Sequence, residues 1–175
     1  MGRQVVPTNV RHGFTMIELL IVMAIIAIAA AIAVPMVSSA GSMQLRSAVT
    51  MMAADLEYAK SLSISRGQRY AVVFDKATET YRIIDQNGAT IPHPIKKGFR
   101  YTIDFRADSR LDQVDIVNAN FDGAAAVSFD YLGSPYSGTG GAAAPMNSGV
   151  ITLRAGVSTR TVSVEPVTGF ISVSN

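Results

Sequence analysis

Three residues near the start of the chain, Gly13, Phe14 and Glu18, have types and a spacing that imply chemistry. Small residues mark the cleavage sites of N-terminal export signals, which in a secretory signal follow the apolar core. Here the well-placed small residue, Gly13, precedes it, between a basic leader (Arg3, Arg11, His12) and Phe14. Cutting there would discard a short polar peptide and leave the hydrophobic segment on the product. Glu18 is the last charged residue before Leu19–Val37, a run of 19 residues with no charge, and the next charge is Arg46. A carboxylate at the centre of a bilayer costs about 3 kcal/mol on insertion scales, so an acid in such a segment points to function. Near the end of a span the side chain reaches the interface more cheaply, which lowers the cost without explaining the residue.

Elsewhere the chemistry is sparse. The chain has no cysteine, which removes thiol catalysis, cysteine metal sites and disulfides. His93 sits between Pro92 and Pro94 and reads as a solvated loop histidine. Asn118 to Gly123 copies the first half of an EF-hand loop, but the twelfth position is Phe129 where calcium needs a bidentate glutamate. Asp104, Asp108, Asp112 and Asp115 alternate with Arg106 and Arg110, a pattern of local ion pairs rather than a metal site. No metal or other cofactor is expected, and no enzyme. Lys96, Lys97 and Arg100, with Arg106 and Arg110 nearby, form the basic concentration of the second half, a candidate anion or DNA contact.

The elements that carry these residues follow from periodicity. At about 1.5 Å per residue, Leu19–Val37 makes a helix about 28 Å long, matching a bilayer core of about 30 Å. Pro35 and Gly41 weaken the helix locally without ending it. Leu45, Val49, Met52, Leu56, Ala59 and Leu62 then recur at spacings of three and four, the apolar stripe of an amphipathic helix. Gly67 fits the position that closes it. From Gln68 the period falls to two. Strands are expected at Arg69–Phe74 and Thr80–Asp85, then Phe99–Phe105, Gln113–Val117 and Ala126–Tyr131. A hairpin of Val150–Arg154 and Thr159–Val164 turns at Gly156, and Phe170–Val173 is last. Asn87-Gly88 is a turn signal. Ser134–Pro145 reads as a flexible, nearly uncharged loop, a surface for a partner or neighbour. The fold class is α+β, a long N-terminal helix packed on an antiparallel sheet or two.

The run Gly13-Phe14-Thr15-Met16-Ile17-Glu18-Leu19-Leu20 resembles the signal of type IV prepilins and type II secretion pseudopilins. That resemblance implies cleavage by prepilin peptidase between Gly13 and Phe14, methylation of the new Phe14 amine, and extraction of the helix into a filament. It assigns Glu18 to filament assembly, paired with a neighbouring subunit's N-terminal amine; a buried carboxylate needs such a partner. Pro35 also falls where the family often has a helix-loosening proline. More loosely, Leu56–Gly67, Phe129–Pro135 and Val162–Gly169 resemble minor pseudopilins of the type II secretion H type and FimT-like minor pilins. DNA-uptake members carry arginines around the last glycine. Here Phe170-Ile171-Ser172 follows Gly169, so that basic motif is missing and nucleic-acid binding is not carried over.

The implied organisation is a cleaved leader (residues 1–13), an N-terminal helix (14–66) and a periplasmic β domain (67–175). Residues 14–37 of the helix form the transmembrane segment and later filament core, and 38–66 its amphipathic half. The leader holds two of the fifteen basic side chains and none of the thirteen acids, so the processed chain balances thirteen against thirteen. The pI near 9 belongs largely to the leader, whose positive charge keeps the N-terminus cytoplasmic. The implied function is a minor pilin or pseudopilin of a type II secretion pseudopilus or type IV pilus. Its implied partners are prepilin peptidase, other pilin subunits and the inner-membrane assembly platform. A pilus-tip module binding DNA or a surface is the alternative.

Overall fold

The computed structural model describes residues 14–174, and the side chains of all of these but 33–39. Gly13 and the rest of the leader lie outside the described residues. The chain divides into two units, Met1–Val37 and Ser38–Asn175, each taken here by itself.

One helix, α1, is assigned to Met16–Arg66, with no break at Pro35 or Gly41. Its composition is dominated by Ala, Leu, Ile and Met, which tolerate helical backbone well or pack it closely. It stops at Gly67, whose φ of +61° suits glycine, and Gln68 N–H donates back to Ser63 O at 3.3 Å. Within the first unit the large apolar side chains from Phe14 to Ile32 are all substantially exposed, at every phase of the helix. Among the described residues no helix is long and apolar enough to cross a membrane. Residues 33–37 continue that apolar run, and the side chains of 33–39 fall outside the description.

The second unit carries two antiparallel sheets. The first has the order β3-β2-β1-β5-β6-β7, from β1 (Tyr70–Asp75), β2 (Thr80–Ile84), β3 (Thr102–Asp104), β5 (Ala126–Phe129), β6 (Pro135–Ser137) and β7 (Ala144–Pro145). The second has the order β10-β9-β8-β4, from β4 (Asp115–Phe121), β8 (Gly149–Ala155), β9 (Ser158–Val164) and β10 (Ile171–Ser174). β1 and β2 pair as a first hairpin, and β8 and β9 form the expected second one. In the second, Gly156 turns the chain at a φ of +57° and Ala155 faces Ser158. One core joins helix and sheets: Leu45, Val49, Met52, Leu56 and Ala59 of α1 meet Val72, Phe74, Tyr81 and Ile83 of the first sheet and Ile116, Ile151, Leu153 and Val162 of the second. Every residue of that core lies after position 44, so this unit carries its own core.

Three expectations need correction. Ser134–Pro145 is not an irregular loop, for it contains β6, a 3-10 turn at Gly140–Ala142 and β7. Their Ser, Gly and Ala residues show no period, and the order comes from β5, which pairs Ser128 with Tyr136. Arg69 pins the turn, donating to Gly140 O at 3.0 Å while its guanidinium lies 4.4 Å from the Tyr136 ring centroid. Phe99–Phe105 shrinks to β3, because Gly98 at a φ of +85° begins the strand approach late and leaves Phe99 exposed. Gln113–Val117 instead runs on to Phe121, so the EF-hand-like asparagines are strand residues paired with β8 across an irregularity between Ile116 and Asn118.

Candidate functional site

At the start of α1, Thr15 and Glu18 form a reciprocal pair. Glu18 N–H donates to Thr15 Oγ1 at 3.2 Å, and Thr15 N–H donates to Glu18 Oε2 at 3.4 Å. This is a capping box, which satisfies two of the orphan amide groups at a helix start. The spacing Thr-x-x-Glu was visible in the sequence, although the acid stood out there as a charge beside an apolar run and as part of the prepilin-like motif rather than as a cap. Phe14 and Glu18 are both exposed in the single chain.

The basic residues do not make one site. Lys96, Lys97 and Arg100 are all exposed on the segment between β2 and β3. Arg100 lines a cleft of about 420 Å³ with His93 and Arg66. Lys96 lines a different one, about 490 Å³, with Asp104, Asp108 and Arg110. Lys97 lines neither. Arg106 is paired with Asp115 at 2.6 Å, and Arg110 with Asp108 at 2.6 Å. The Arg110 hydrogen bond holds the Asp108 carboxyl down to about 2. These pairs follow the alternation of sign in the sequence. Among the described residues no three His, Cys, Asp or Glu side chains gather as a metal site.

The cluster that sequence reasoning missed surrounds Asp55. It lies on the buried stripe, three residues after Met52 and four before Ala59, and is only 8% exposed. Tyr81 from β2 donates its hydroxyl to Asp55 Oδ2 at 2.6 Å, and Tyr101 donates to Oδ1 at 2.7 Å. Burial raises the Asp55 carboxyl above its ordinary range, against the lowering effect of the two tyrosines and of His93. Burial likewise raises the hydroxyls of Tyr81 and Tyr101. His93 is no solvated loop residue: its ring stacks on Tyr101 with centroids 4.7 Å apart, and Tyr58 stacks on Tyr101 at 5.6 Å. Its Nδ1 accepts from the backbone amides of Ile95 and Lys96, which shapes the loop. The network ties helix, β2 and the approach to β3 together.

The model of the type II transport protein GspH matches residues 48–168, and that of the prokaryotic N-terminal methylation motif matches residues 8–34. The chain belongs to the GspH family. It is thus a minor pseudopilin or pilin, of type II secretion or of a type IV pilus, and the family is structural. Among solved structures, two of the minor pseudopilin EpsH from the type 2 secretion system of Vibrio cholerae share the fold. Each has a TM-score of 0.52, with 9% and 10% identity, covering 75% and 74% of this chain and 96% and 92% of those chains. The type IV minor pilin FimU of Pseudomonas aeruginosa gives a TM-score of 0.49 at 18% identity, over 75% of this chain and 88% of that one. No curated protein matches the chain in sequence.

The structure also explains why this GspH-family chain keeps glycine at two late turns. Gly133 and Gly169 have φ values of +84° and +58°, and they meet. A Cβ on Gly169 would lie 2.7 Å from the Gly133 carbonyl oxygen, and one on Gly133 would lie 3.0 Å from Ile64 Cδ1. Lys60 Nζ donates to Gly169 O at 2.9 Å, so both turns close against the end of α1.

Proposed function

We propose that this GspH-family subunit serves a type II secretion pseudopilus, built from a precursor cut between Gly13 and Phe14 by prepilin peptidase and methylated at Phe14. Before assembly it spans the inner membrane once, N-terminus in the cytoplasm and the sheet unit in the periplasm. An assembly platform then moves it into the filament among other pseudopilins. The observation that carries this reading is the methylation motif set on a helix whose apolar side chains face outward at every phase from Phe14 to Ile32. A helix apolar all round needs lipid or other protein about it. Filament packing offers the second once lipid is left behind. Secretion is favoured over a pilus by the family match and by the EpsH relatives, described as components of a type 2 secretion system.

Glu18 then has two partners in succession. In the single chain its carboxylate caps Thr15. In the filament it accepts the Phe14 amine of a neighbour, a charged donor that makes a stronger bond than a neutral amide. Mass spectrometry of membrane-extracted protein tests the processing, with an N-methylated Phe14 as the expected first residue. In a Gly13→Ala strain the precursor, thirteen residues longer, persists. Exoprotein release falls there while twitching is unchanged. An intact Met1 in the wild type, or lost twitching with normal release, overturns the proposal.

A further inference from the structure

The cleft between the last turns of α1 and the segment from 89 to 100 has the features of a binding site with no assigned ligand. Its volume, about 420 Å³, is within the range of small-ligand sites. Tyr58, Tyr70 and Ile91 supply an apolar floor, His93 stands in one wall, and Arg66 and Arg100 bring guanidinium groups from two separate elements. The Arg66 side chain makes no hydrogen bond or ion pair among the described residues. Arg100 is positioned by donating Nη1 to Thr90 O at 2.7 Å, which leaves the rest of its donor fork available. One acid, Asp85, also lines the cleft, but its Oδ1 already accepts from the amides of Asn87 and Ala89. The ring of His93 is fixed by its stacking on Tyr101, so the wall does not depend on a loose loop side chain.

We propose that this cleft binds a short acidic peptide segment of a partner protein, its carboxylates on Arg66 and Arg100 and an apolar side chain on the tyrosine floor. Guanidinium forks match carboxylates in geometry as well as charge. Phosphate would satisfy the same forks, but a nucleic acid needs a track of several phosphate contacts. This surface offers no such track, because Arg106 and Arg110 are paired with acids and Lys96 faces the other cleft. A bounded cleft with an apolar floor takes a side chain flanked by charge. The proposal stands independently of which machine the filament serves.

The test is titration of the unit 38–175, isotope-labelled for NMR, with the tripeptide acetyl-Glu-Leu-Glu-amide at low salt. Saturable shifts at Tyr58, Tyr70 and Ile91 are expected, with half-saturation of roughly 1 mM for so small a ligand. Arg66→Gln weakens binding at least about fivefold, and Arg100→Gln, on a different element, does the same. Lys97→Gln removes an equal charge outside the cleft and leaves binding unchanged. The glutamine analogue acetyl-Gln-Leu-Gln-amide gives no saturable shift. Three results each overturn the proposal: no saturation at ten times that concentration, equal weakening by Arg66→Gln and Lys97→Gln, or displacement of the peptide by an oligothymidylate.

Discussion

Replacing Asp55 by leucine tests the energetics of the buried network directly. The carboxylate accepts from Tyr81 and Tyr101 at 2.6 and 2.7 Å, and both hydroxyls are enclosed. Leucine fills a similar volume but leaves two buried donors without an acceptor, at about 1–3 kcal/mol each. Relief from burying a carboxylate offsets part of this, so a net loss of about 2–4 kcal/mol is expected. For a unit of this size that lowers Tm by roughly 8–16 °C. The triple variant Asp55→Leu, Tyr81→Phe, Tyr101→Phe removes donors and acceptor together, and it should recover all but about 1 kcal/mol. Thermal unfolding of the unit 38–175, followed by circular dichroism, reads both. If Asp55→Leu melts with the wild type, or the triple variant melts no higher than the single one, the hydroxyls are not held by this carboxylate. The pH dependence adds a signed check. Because burial raises the Asp55 carboxyl in the folded state, its contribution is fully present below the unfolded value of about 4 and is lost as pH rises through the raised one. The stability gap between wild type and Asp55→Asn, which stays neutral, therefore narrows as pH rises. A gap that widens would mean that the tyrosine bonds to the ionised form outweigh burial.

Three further substitutions separate a glycine that the fold requires from one it merely accommodates. Gly169→Ala combines a left-handed backbone with a Cβ 2.7 Å from the Gly133 carbonyl, so a loss of about 2–4 kcal/mol is expected in denaturant unfolding. Gly41, inside the helix, is buried against Gln113, whose flexible Oε1 would lie 3.2 Å from an added Cβ. Gly41→Ala therefore gains up to about 1 kcal/mol of helix propensity, whereas Gly41→Leu lowers stability by overpacking.

The local signals in the sequence were read correctly where local chemistry decides the structure. The three- and four-residue recurrence from Leu45 to Ala59 became the buried helix face. Gly67 closed the helix, Asn87-Gly88 formed a turn, Gly156 turned a hairpin, and the alternating charges around Arg106 and Arg110 became ion pairs. The failures were non-local. Nothing near Asp55 announces that hydroxyls 26 and 46 residues further on will meet it, so an acid on an apolar stripe was passed over. β6 and β7 have no period of their own and exist because β5 offers them an edge. Asn118 and Asn120 disfavour strands, yet pairing with β8 overrides that preference. His93 looked solvated because its stacking partner, Tyr101, belongs to the far end of the same segment. The motif at Gly13, Phe14 and Glu18 was legible without a fold, since it is a continuous run of sequence that the methylation-motif model matches over residues 8–34.

The bond from Lys60 to Gly169 joins positions 109 residues apart. On the proposed topology the polypeptide crosses the membrane helix first, so Lys60 arrives long before the residue that completes its bond. Until Gly169 docks against Gly133, the Lys60 ammonium at the end of the helix lacks this carbonyl partner. On that topology a subunit broken off before Gly169 would leave Lys60 without its partner and the Gly133 turn without its neighbour.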